Sequence, residues 1–392
     1  MAELPAAYWR LWWASAVDNV GDGVFTAAVP LLTVTLTRDP VLVSVVSAAT
    51  YLPWLLLSLP AGALVDRRDR AGLMWRSQAV QAAIVAVVAV LIALGHLDIA
   101  TLAVLGFGLS ACEVVFATAS LAILPDLVPG ALLHRANGHQ YAVANAGQLF
   151  IGPPLGSVLF AAAAVLPFGV DVASFVLSAA LLATLPRRPP RRVGTAMTDG
   201  VRWLVRHRLL RTLAFLLAVN TFCFQLGNVT VVLLATQALH VGGRGYGLLL
   251  AGAAVGSVLG AVVNARLVAR IGSLPALLAA LSANVVLFTL IGLSPDAVVL
   301  GALLALNGFA TTLWSVVTVS LRQQIVPAPV RGRVHSVYRM LGWGLMPLGA
   351  LAGGFVADAF GVRAAFPVAG VLRGIALLAA LPVLVRAMRA SG

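Results

Sequence analysis

Long, uninterrupted apolar segments recur along this chain, and they limit the folds open to it. Each is about as long as a membrane-crossing helix, since ~20 helical residues span a ~30 Å hydrocarbon core. The segments are continuous runs of mainly Leu, Ala and Val, whereas the strands of a membrane β-barrel alternate apolar and polar residues. Only 10% of the 392 residues are charged, against about 25% in soluble domains. We therefore predict an all-α integral membrane protein.

Twelve such segments can be counted, and we predict that each forms a transmembrane helix. A stretch of this length and composition is long enough to cross the bilayer without help from its neighbours. Spans 1 to 12 cover residues 9–36, 41–64, 74–94, 98–122, 137–160, 164–185, 210–236, 246–268, 273–293, 297–321, 336–357 and 364–385.

The charged residues predict how these spans are oriented. All 26 basic residues are Arg. Beginning at Arg10, the loops on one side of the membrane hold most of them, and the loops on the other side hold only Arg38, Arg244 and Arg363. Because cytoplasmic loops are enriched in basic residues, both termini are predicted to be cytoplasmic. The net charge of +13 is then a topology signal, and no nucleic-acid partner is expected.

Several other classes of function are disfavoured by the residue content. The chain has no Lys, which the phosphate-binding loop of an ATP-driven pump requires. Its histidines never occur in metal-ligand spacing, and Cys112 and Cys223 lie inside spans, so we predict no metal site, no cofactor and no disulfide. An intramembrane enzyme needs a nucleophile and a base at matching depth, and no His falls at mid-membrane. We predict that the chain is not an enzyme.

A weak internal repeat divides the chain. One constant offset aligns separate places in the sequence: Gly62 with Gly260, Asp66 with Asn264, Pro129 with Pro327, and Asp22 with Asn220. This predicts two pseudo-symmetric six-helix halves in the same orientation, over residues 1–185 and 210–392. Parallel repeats of this kind occur in secondary transporters, which bind substrate near the bilayer midplane between the repeats.

An Arg-rich segment, residues 186–209, joins the predicted halves on the cytoplasmic side. Its first part, PRRPPRRVGTAM, is too rich in Pro to be helical. Its second part, TDGVRWLVRHRLL, places Arg202 and Arg206 on one helical face and Leu204 on another, with Thr198 as N-cap. We predict a short amphipathic helix on anionic lipid, which makes membrane lipid an expected partner.

The loop GALVDRRDR at residues 62–70 carries the most specific motif. It is similar to the loop between helices 2 and 3 of the major facilitator superfamily, Gly-x-x-x-Asp-Arg-x-Gly-Arg. Gly62, Asp66, Arg67 and Arg70 match it, and Asp69 replaces the usual Gly. Further stretches (GDG in span 1, PLL after it, LPDLVP after span 4) resemble the bacterial efflux branch that includes macrolide and enterobactin exporters. The resemblance covers essentially the whole chain and implies the major facilitator fold.

The resemblance implies a conformational latch at this loop. Asp66 is expected near the start of span 11, where unpaired backbone N–H groups favour an anion. Arg67 and Arg70 are expected to pair with Asp126 at the cytoplasmic end of span 4. The alternative is a purely topogenic Arg cluster, but Gly62 and Asp66 at these positions favour the latch.

Span 5 carries a second motif, GQLFIGPPLGSVL. Gly152, Pro153 and Gly156 resemble the Gly-Pro-x-x-Gly-Gly motif of antiporters, with Ser157 in place of the last Gly. A proline bends the helix because it lacks a backbone donor, and glycines let a neighbouring helix approach closely. Ordinary small-residue packing is the alternative interpretation.

Three acidic residues fall inside predicted spans. If span 1 enters the hydrocarbon near Trp12, a rise of about 1.5 Å per residue puts Asp18 ~9 Å deep and Asp22 ~15 Å deep. Glu113 in span 4 falls level with Asp18. A central carboxylate costs about 2.5–3.5 kcal/mol on insertion scales, so we expect each to face a water-filled cavity or to be protonated for part of the time.

These three carboxylates are therefore the predicted proton-coupling or substrate-contacting groups, together with Asn220, the repeat partner of Asp22. The alternative for Asp22 is a structural hydrogen bond, since Gly21 and Gly23 beside it are typical of a packing contact. Span 4 lacks the Arg-x-x-x-Gly pattern of many drug–proton antiporters, so their proton relay does not carry over. The superfamily arrangement implies that spans 1, 4, 7 and 10 line the cavity, so Asp171 in span 6 and Arg373 in span 12 are expected to be peripheral and structural.

The sequence thus predicts a secondary active transporter that exports small amphipathic organic compounds, drug-like or siderophore-like, in exchange for protons by alternating access. Proton-coupled uptake of a small nutrient and flipping of lipid or lysophospholipid are the alternatives. The span 5 motif and the mid-membrane acids favour export. The resemblance implies a monomer in the cytoplasmic (inner) membrane of a bacterium, with a small-molecule substrate and protons as partners.

Overall fold

The structure, a computed structural model, describes residues 4–186 and 198–391. This part of the chain is helical and contains no strand. Its helices are α1 (Ala6–Leu36), α2 (Pro40–Arg67), α3 (Arg70–Leu94), α4 (Ile99–Leu127), α5 (Leu133–Asn145), α6 (Gly152–Ala162), α7 (Leu166–Ala183), α8 (Thr198–Arg206), α9 (Arg208–Leu233), α10 (Gly243–Ile271), α11 (Ser273–Gly292), α12 (Ala297–Ile325), α13 (Ala328–Gly344), α14 (Met346–Phe360) and α15 (Ala365–Ser391). Eleven helical segments in it are long and apolar enough to cross a membrane, which confirms the predicted fold class.

The remaining predicted span, span 5, is an interrupted helix. It consists of α5, a π-helical turn at Ala146–Ile151, and α6. Pro153 and Pro154 follow Gly152 in the first turn of α6. They have no backbone N–H, so they cannot continue the i→i−4 ladder of α5. The backbone forms the wider π-helical turn instead, in which the Gly152 N–H donates to the Gly147 carbonyl. Such π-bulges occur where an α-helical ladder is locally broken.

Span 11 is interrupted as well. The sequence predicts one helix over 336–357, but the structure has α13 and α14 with Leu345 between them. Pro347 is the second residue of α14, a position that tolerates proline because its N–H has no partner in the helix. Proline therefore divides a span in both the first and the second part of the chain.

The chain forms two compact units. The first comprises residues 1–38, 49–194 and 243–247, and the second comprises 39–48, 195–242 and 248–392. In the first unit α1 packs on α6 and α7, and α3 packs on α4 and α7. In the second unit α9 packs on α14 and α15, and α11 packs on α12 and α15. The two sets of neighbours correspond one to one.

Glycines bring α1 and span 5 into backbone contact. A Cβ atom on Gly23 would lie 2.6 Å from the Gly147 carbonyl oxygen and 2.9 Å from the Gly152 Cα. A Cβ on Gly156 would lie 2.9 Å from the Cα of Val24. No side chain can shift to relieve such backbone contacts. The glycines of the span 5 motif are therefore packing residues, placed against the GDG stretch of α1.

The second unit closes the corresponding interface in the same way. Gly349 and Gly353 of α14 lie four residues apart and face α9, where their added Cβ atoms would collide with the carbonyl oxygens of Phe222 and Leu226. Small residues spaced by four form one stripe along a helix. Close helix approach at this interface is thus common to both units.

Tyrosines tie the corresponding helix ends together. Tyr8 at the start of α1 donates its hydroxyl to the Ala136 carbonyl of α5 at 3.1 Å, and Tyr338 of α13 donates to the Leu210 carbonyl of α9 at 2.6 Å. The predicted amphipathic helix is present as α8, which packs on α9 and α13 with Leu204 buried. The Pro/Arg-rich part of the linker, 187–197, lies outside the described residues.

Substituting Gly152 tests the backbone contact. We expect Gly152→Ala to lower the stability by about 1–3 kcal/mol, the usual cost of overpacking, because the added Cβ meets backbone atoms of Gly23 and Gly147. Gly138→Ala on α5 is the matched control, since nothing lies within 4 Å of its Cβ position and Ala favours the helix by about 1 kcal/mol. Thermal unfolding in detergent measures both. Equal unfolding temperatures for the two variants would contradict the packing interpretation.

Candidate functional site

Four carboxylates come together inside the first unit. Asp18 and Asp22 lie on α1, Glu113 on α4 and Asp171 on α7, and Asp18 interacts electrostatically with the other three. Asp18 and Asp171 are buried, whereas Asp22 and Glu113 are partly accessible. The sequence placed Asp18 and Glu113 at the same depth and Asp22 deeper, and the structure brings all three into one cluster with Asp171, here called the acidic cluster.

Two glutamines of α3 hold two of these carboxylates. Gln78 Nε2 donates to Asp18 Oδ1 at 2.7 Å, and Gln81 Nε2 donates to Glu113 Oε2 at 3.1 Å. Residues three apart share a helical face, so α3 presents both amides to the cluster. The carbonyl oxygens of both glutamines are buried and have no hydrogen-bond partner among the described residues.

Asp22 receives its partner from the interrupted helix of span 5. Gln148, in the π-helical turn, donates its Nε2 to Asp22 Oδ2 at 3.3 Å. The flanking contact between Gly23 and Gly147 brings that turn against α1. Gly23 thus makes the packing contact that the sequence suggested. Asp22 beside it has an amide hydrogen-bond partner and is still partly accessible.

Asp171 belongs to the cluster, although the sequence analysis expected it to be peripheral. It faces α1 at Gly21, whose added Cβ would lie 2.6 Å from Asp171 Oδ1. Ser174 Oγ donates to the same carboxylate oxygen at 3.4 Å, and Asp171 Oδ2 is buried without a partner among the described residues. The expectation was wrong because α7 packs along α1 and α3 with this face inward. The sequence signal for this contact was Gly21, which lies between Asp18 and Asp22 and lets α7 approach α1 closely.

Within the described part of the chain, no ion pair joins a residue of the acidic cluster to a cation. Three buried acceptors also lack a donor there, namely Gln78 Oε1, Gln81 Oε1 and Asp171 Oδ2. Burying an unpaired charge is costly, and a protonated carboxyl group gains an O–H donor. The geometry therefore suits carboxyl groups that take up protons.

The predicted latch loop is partly assembled within the first unit. Arg70 Nη1 lies 2.5 Å from Asp126 Oδ2 and donates to the Ala122 carbonyl at 2.9 Å. Arg67, the other predicted partner of Asp126, is exposed at the end of α2 and makes no ion pair among the described residues. The difference arises because Arg70 begins α3, which packs on α4, whereas Arg67 ends α2.

The other positions of this loop have distinct environments. Asp69, which departs from the motif, is the N-cap of α3 and accepts from the Gly72 N–H at 2.8 Å, a role that Asp fills well. Asp66 is half-buried in the last turn of α2. A Cβ on Gly62 would meet no atom within 4 Å, so packing within this conformation does not require glycine there.

The second unit contains a cavity of about 240 Å³. Asn220, the predicted polar contact, lies on its wall, and its Nδ2 donates to the Leu216 carbonyl at 2.9 Å. Polar and apolar side chains share the lining, which comprises Leu217, Asn220, Thr221, Phe224, Asn284, Thr311, Trp314, Ser315, Met346 and Arg373. Arg373 lines this cavity although it was expected to be peripheral, because α15 packs on α9 and α11 and the Arg373 side chain is buried within the unit.

The Arg70–Asp126 contact yields a stability prediction. Arg70→Ala leaves Asp126 and the Ala122 carbonyl without this donor, and hydrogen bonds to charged groups contribute about 1.5–3 kcal/mol. We expect a loss of that size in thermal unfolding in detergent. Arg67→Ala, which removes an exposed arginine three residues away, is expected to leave stability unchanged. A similar loss in both variants would show that net charge, and not this contact, is responsible.

Comparison with known proteins agrees with this architecture. Residues 4–391 match the model of a family described as transmembrane secretion effector. The multidrug efflux pump Tap of Mycolicibacterium fortuitum is 28% identical over 370 residues, covering 90% of each chain. An uncharacterised MFS-type transporter of Bacillus subtilis, YfiS, is 26% identical over 378 residues, covering 92% of this chain and 88% of its own length.

Solved structures show the same fold at low sequence identity. The nucleoside transporter NupG superposes with a TM-score of 0.75 at 12% identity, covering 96% of this chain and 99% of its own. A bacterial homologue of the iron transporter ferroportin gives 0.75 at 18% identity, covering 98% and 99%. The chain therefore belongs to the transmembrane secretion effector family of the major facilitator superfamily, whose members are membrane transporters and not enzymes.

Proposed function

We propose that this multi-pass transporter exports small amphipathic organic compounds in exchange for protons. The observation that carries the proposal is the acidic cluster, four interior carboxylates without a cationic partner in the described part of the chain. Intramembrane acids of this kind are typical of proton pathways. The similarity to proteins named multidrug efflux pumps supports export and an amphipathic organic substrate.

In the proposed mechanism the accessible carboxylates exchange protons with water. Asp22 and Glu113 are partly accessible, while Asp18 and Asp171 are buried. Because neighbouring carboxylates repel one another when ionised, loss of a proton from one favours retention by the next. The amides of Gln78, Gln81 and Gln148 fix the positions of three carboxylates in both charge states. Protonation and substrate binding then each stabilise a different state, and the proton gradient drives alternating access.

The latch and the topology complete the proposal. The Arg70–Asp126 pair holds the start of α3 to α4, and the open space beside Gly62 leaves room for another element to approach when the state changes. Residues 1–185 and 210–392 form the two moving halves, joined by the linker that contains α8. We place the protein, as a monomer, in the bacterial cytoplasmic membrane with both termini cytoplasmic, following the distribution of its arginines.

One observation favours a second candidate, transport of lipid. A cavity of about 420 Å³ lies between α1 and α7 of the first unit, and most of its lining is apolar. Trp13 and Leu177 on its rim are exposed, as expected for side chains that contact acyl chains. A lysophospholipid flippase would use such an opening, but its transport would not need the acidic cluster.

Proteoliposomes under opposite proton gradients test the proposal. Antiport accumulates substrate when the lumen is acidic, whichever way the protein inserts, whereas symport accumulates it when the outside is acidic. We expect uptake with an acidic lumen for at least one of three fluorescent probes, namely cationic ethidium, neutral Nile red and anionic fluorescein. Uptake only with an acidic exterior would indicate symport, and gradient-independent movement of a fluorescent lysophospholipid alone would indicate a flippase.

The same assay tests the role of Asp22. We expect Asp22→Asn, which keeps the shape and removes the titratable group, to reduce gradient-driven uptake to the level of protein-free liposomes. Asp98→Asn is the matched control. Asp98 lies just before α4, where the hydrogen bond from the Thr101 N–H lowers the pKa of its carboxyl, and Asn caps a helix about as well. Full uptake by Asp22→Asn would rule out Asp22 as the coupling group.

A further inference from the structure

Arg373 is a buried cation in the membrane-spanning interior of the second unit. Its side chain lies on α15 with 5% of its surface exposed and lines the cavity of that unit. One guanidinium nitrogen, Nη2, donates to the Asn220 carbonyl at 3.1 Å. The guanidinium carbon lies 3.6 Å from the centre of the Phe288 ring, a contact that stabilises the cation through the ring quadrupole. Cys223 is its other neighbour.

No described carboxylate of the second unit compensates this charge. Asp39, Asp296 and Asp358 are exposed, and Asp296 caps the start of α12 through the Val298 and Val299 N–H groups. The fourth acid of the unit, Asp199, has no described side chain. A guanidinium carries five N–H donors, and the buried Nε of Arg373 has no partner among the described residues. A charge at this depth is costly unless it is paired.

Two other polar side chains of the cavity wall, those of Asn284 and Thr311, belong to one hydrogen-bond network with Asn307. Asn284 Oδ1 accepts from Asn307 Nδ2 at 2.9 Å and from Thr311 Oγ1 at 3.2 Å, and Asn284 Nδ2 donates to the Ala280 carbonyl at 3.0 Å. This closed network fixes the wall and leaves Arg373 as the cationic donor that faces the cavity. An anion is the ligand that such a donor selects.

The other lining residues determine which organic group can accompany the anion. Phe224, Trp314, Met346 and Leu217 form an apolar wall, and aromatic side chains provide rigid contact area for a ring or a hydrocarbon chain. The cavity therefore offers one cationic end and one apolar body within about 240 Å³, a volume suited to a small molecule.

We propose that this cavity binds the carboxylate of an anionic amphiphile, with the acid on Arg373 and the aromatic or aliphatic body against Phe224, Trp314 and Met346. If the bound acid is the transported substrate, the proposal rests on the proposed export function and narrows the substrate to organic acids. As a binding site it stands on the second unit alone and requires neither transport nor protons.

Calorimetric titration of the purified protein in detergent tests this site with a matched pair of probes, 1-naphthaleneacetate and its neutral amide. We expect the wild type to bind the acid at least about tenfold more tightly than the amide, the factor that a hydrogen bond to a charged group supplies. Arg373→Gln is expected to abolish that preference. Arg386→Gln, which removes an exposed arginine from the same helix, is expected to retain it.

Three results would overturn the proposal: no measurable binding of the acid, equal binding of acid and amide by the wild type, or an unchanged preference in Arg373→Gln. Should that variant not fold, Trp314→Leu is the second test, expected to weaken both probes by a similar factor. Unchanged binding of both would place the ligand elsewhere. If an acidic lumen drives ethidium uptake but the calorimetric test fails, the proposed export function stands and only the organic-acid site is refuted.

Discussion

The cost of burying charge in hydrocarbon is the constraint on which the interior of this protein depends. A central carboxylate costs about 2.5–3.5 kcal/mol on insertion scales, and the first unit holds four of them in one cluster. Helix packing makes this arrangement possible: Gly21 admits α7 with Asp171, and Gly23 admits the turn of span 5 that carries Gln148. The two glycines of the GDG stretch thus act together with the acids of α1, because the close helix contacts at Gly21 and Gly23 bring Asp171 and Gln148 to them.

The two units share their pattern of helix neighbours but differ in interior charge. The acidic cluster occupies the first unit, while the described interior of the second holds Arg373 among amides and aromatic side chains. Two units with the same scaffold but different interiors can serve different steps of coupled transport. Proton uptake needs carboxylates, whereas binding of an organic acid needs a cation. Asn220 at the position corresponding to Asp22 shows the difference within a single aligned pair: a carboxylate in one repeat, and in the other an amide beside a cation.

Sequence alone predicted the spans well, because the length of an apolar run and the bilayer thickness leave little choice of element. It also predicted that Asp18 and Glu113 lie level inside the membrane with Asp22 deeper, since helical rise converts residue number into depth. It failed for Asp171 and Arg373, because the direction in which a side chain points depends on which neighbours its helix packs against. The π-helical turn before Pro153 was likewise beyond reach: proline predicts a bend, but the surrounding helices decide how the ladder is repaired.

Proton-coupled export requires that the acidic cluster holds a proton that substrate displaces. Infrared difference spectroscopy of the purified protein, recorded on adding whichever fluorescent probe is transported best, reports the carbonyl stretch of protonated carboxyl groups. Proton exchange at the cluster predicts that this band is lost when the probe binds to the wild type and is absent from the difference spectrum of Asp22→Asn. Binding of the probe with no change in the carboxyl band of the wild type would contradict proton exchange at the cluster.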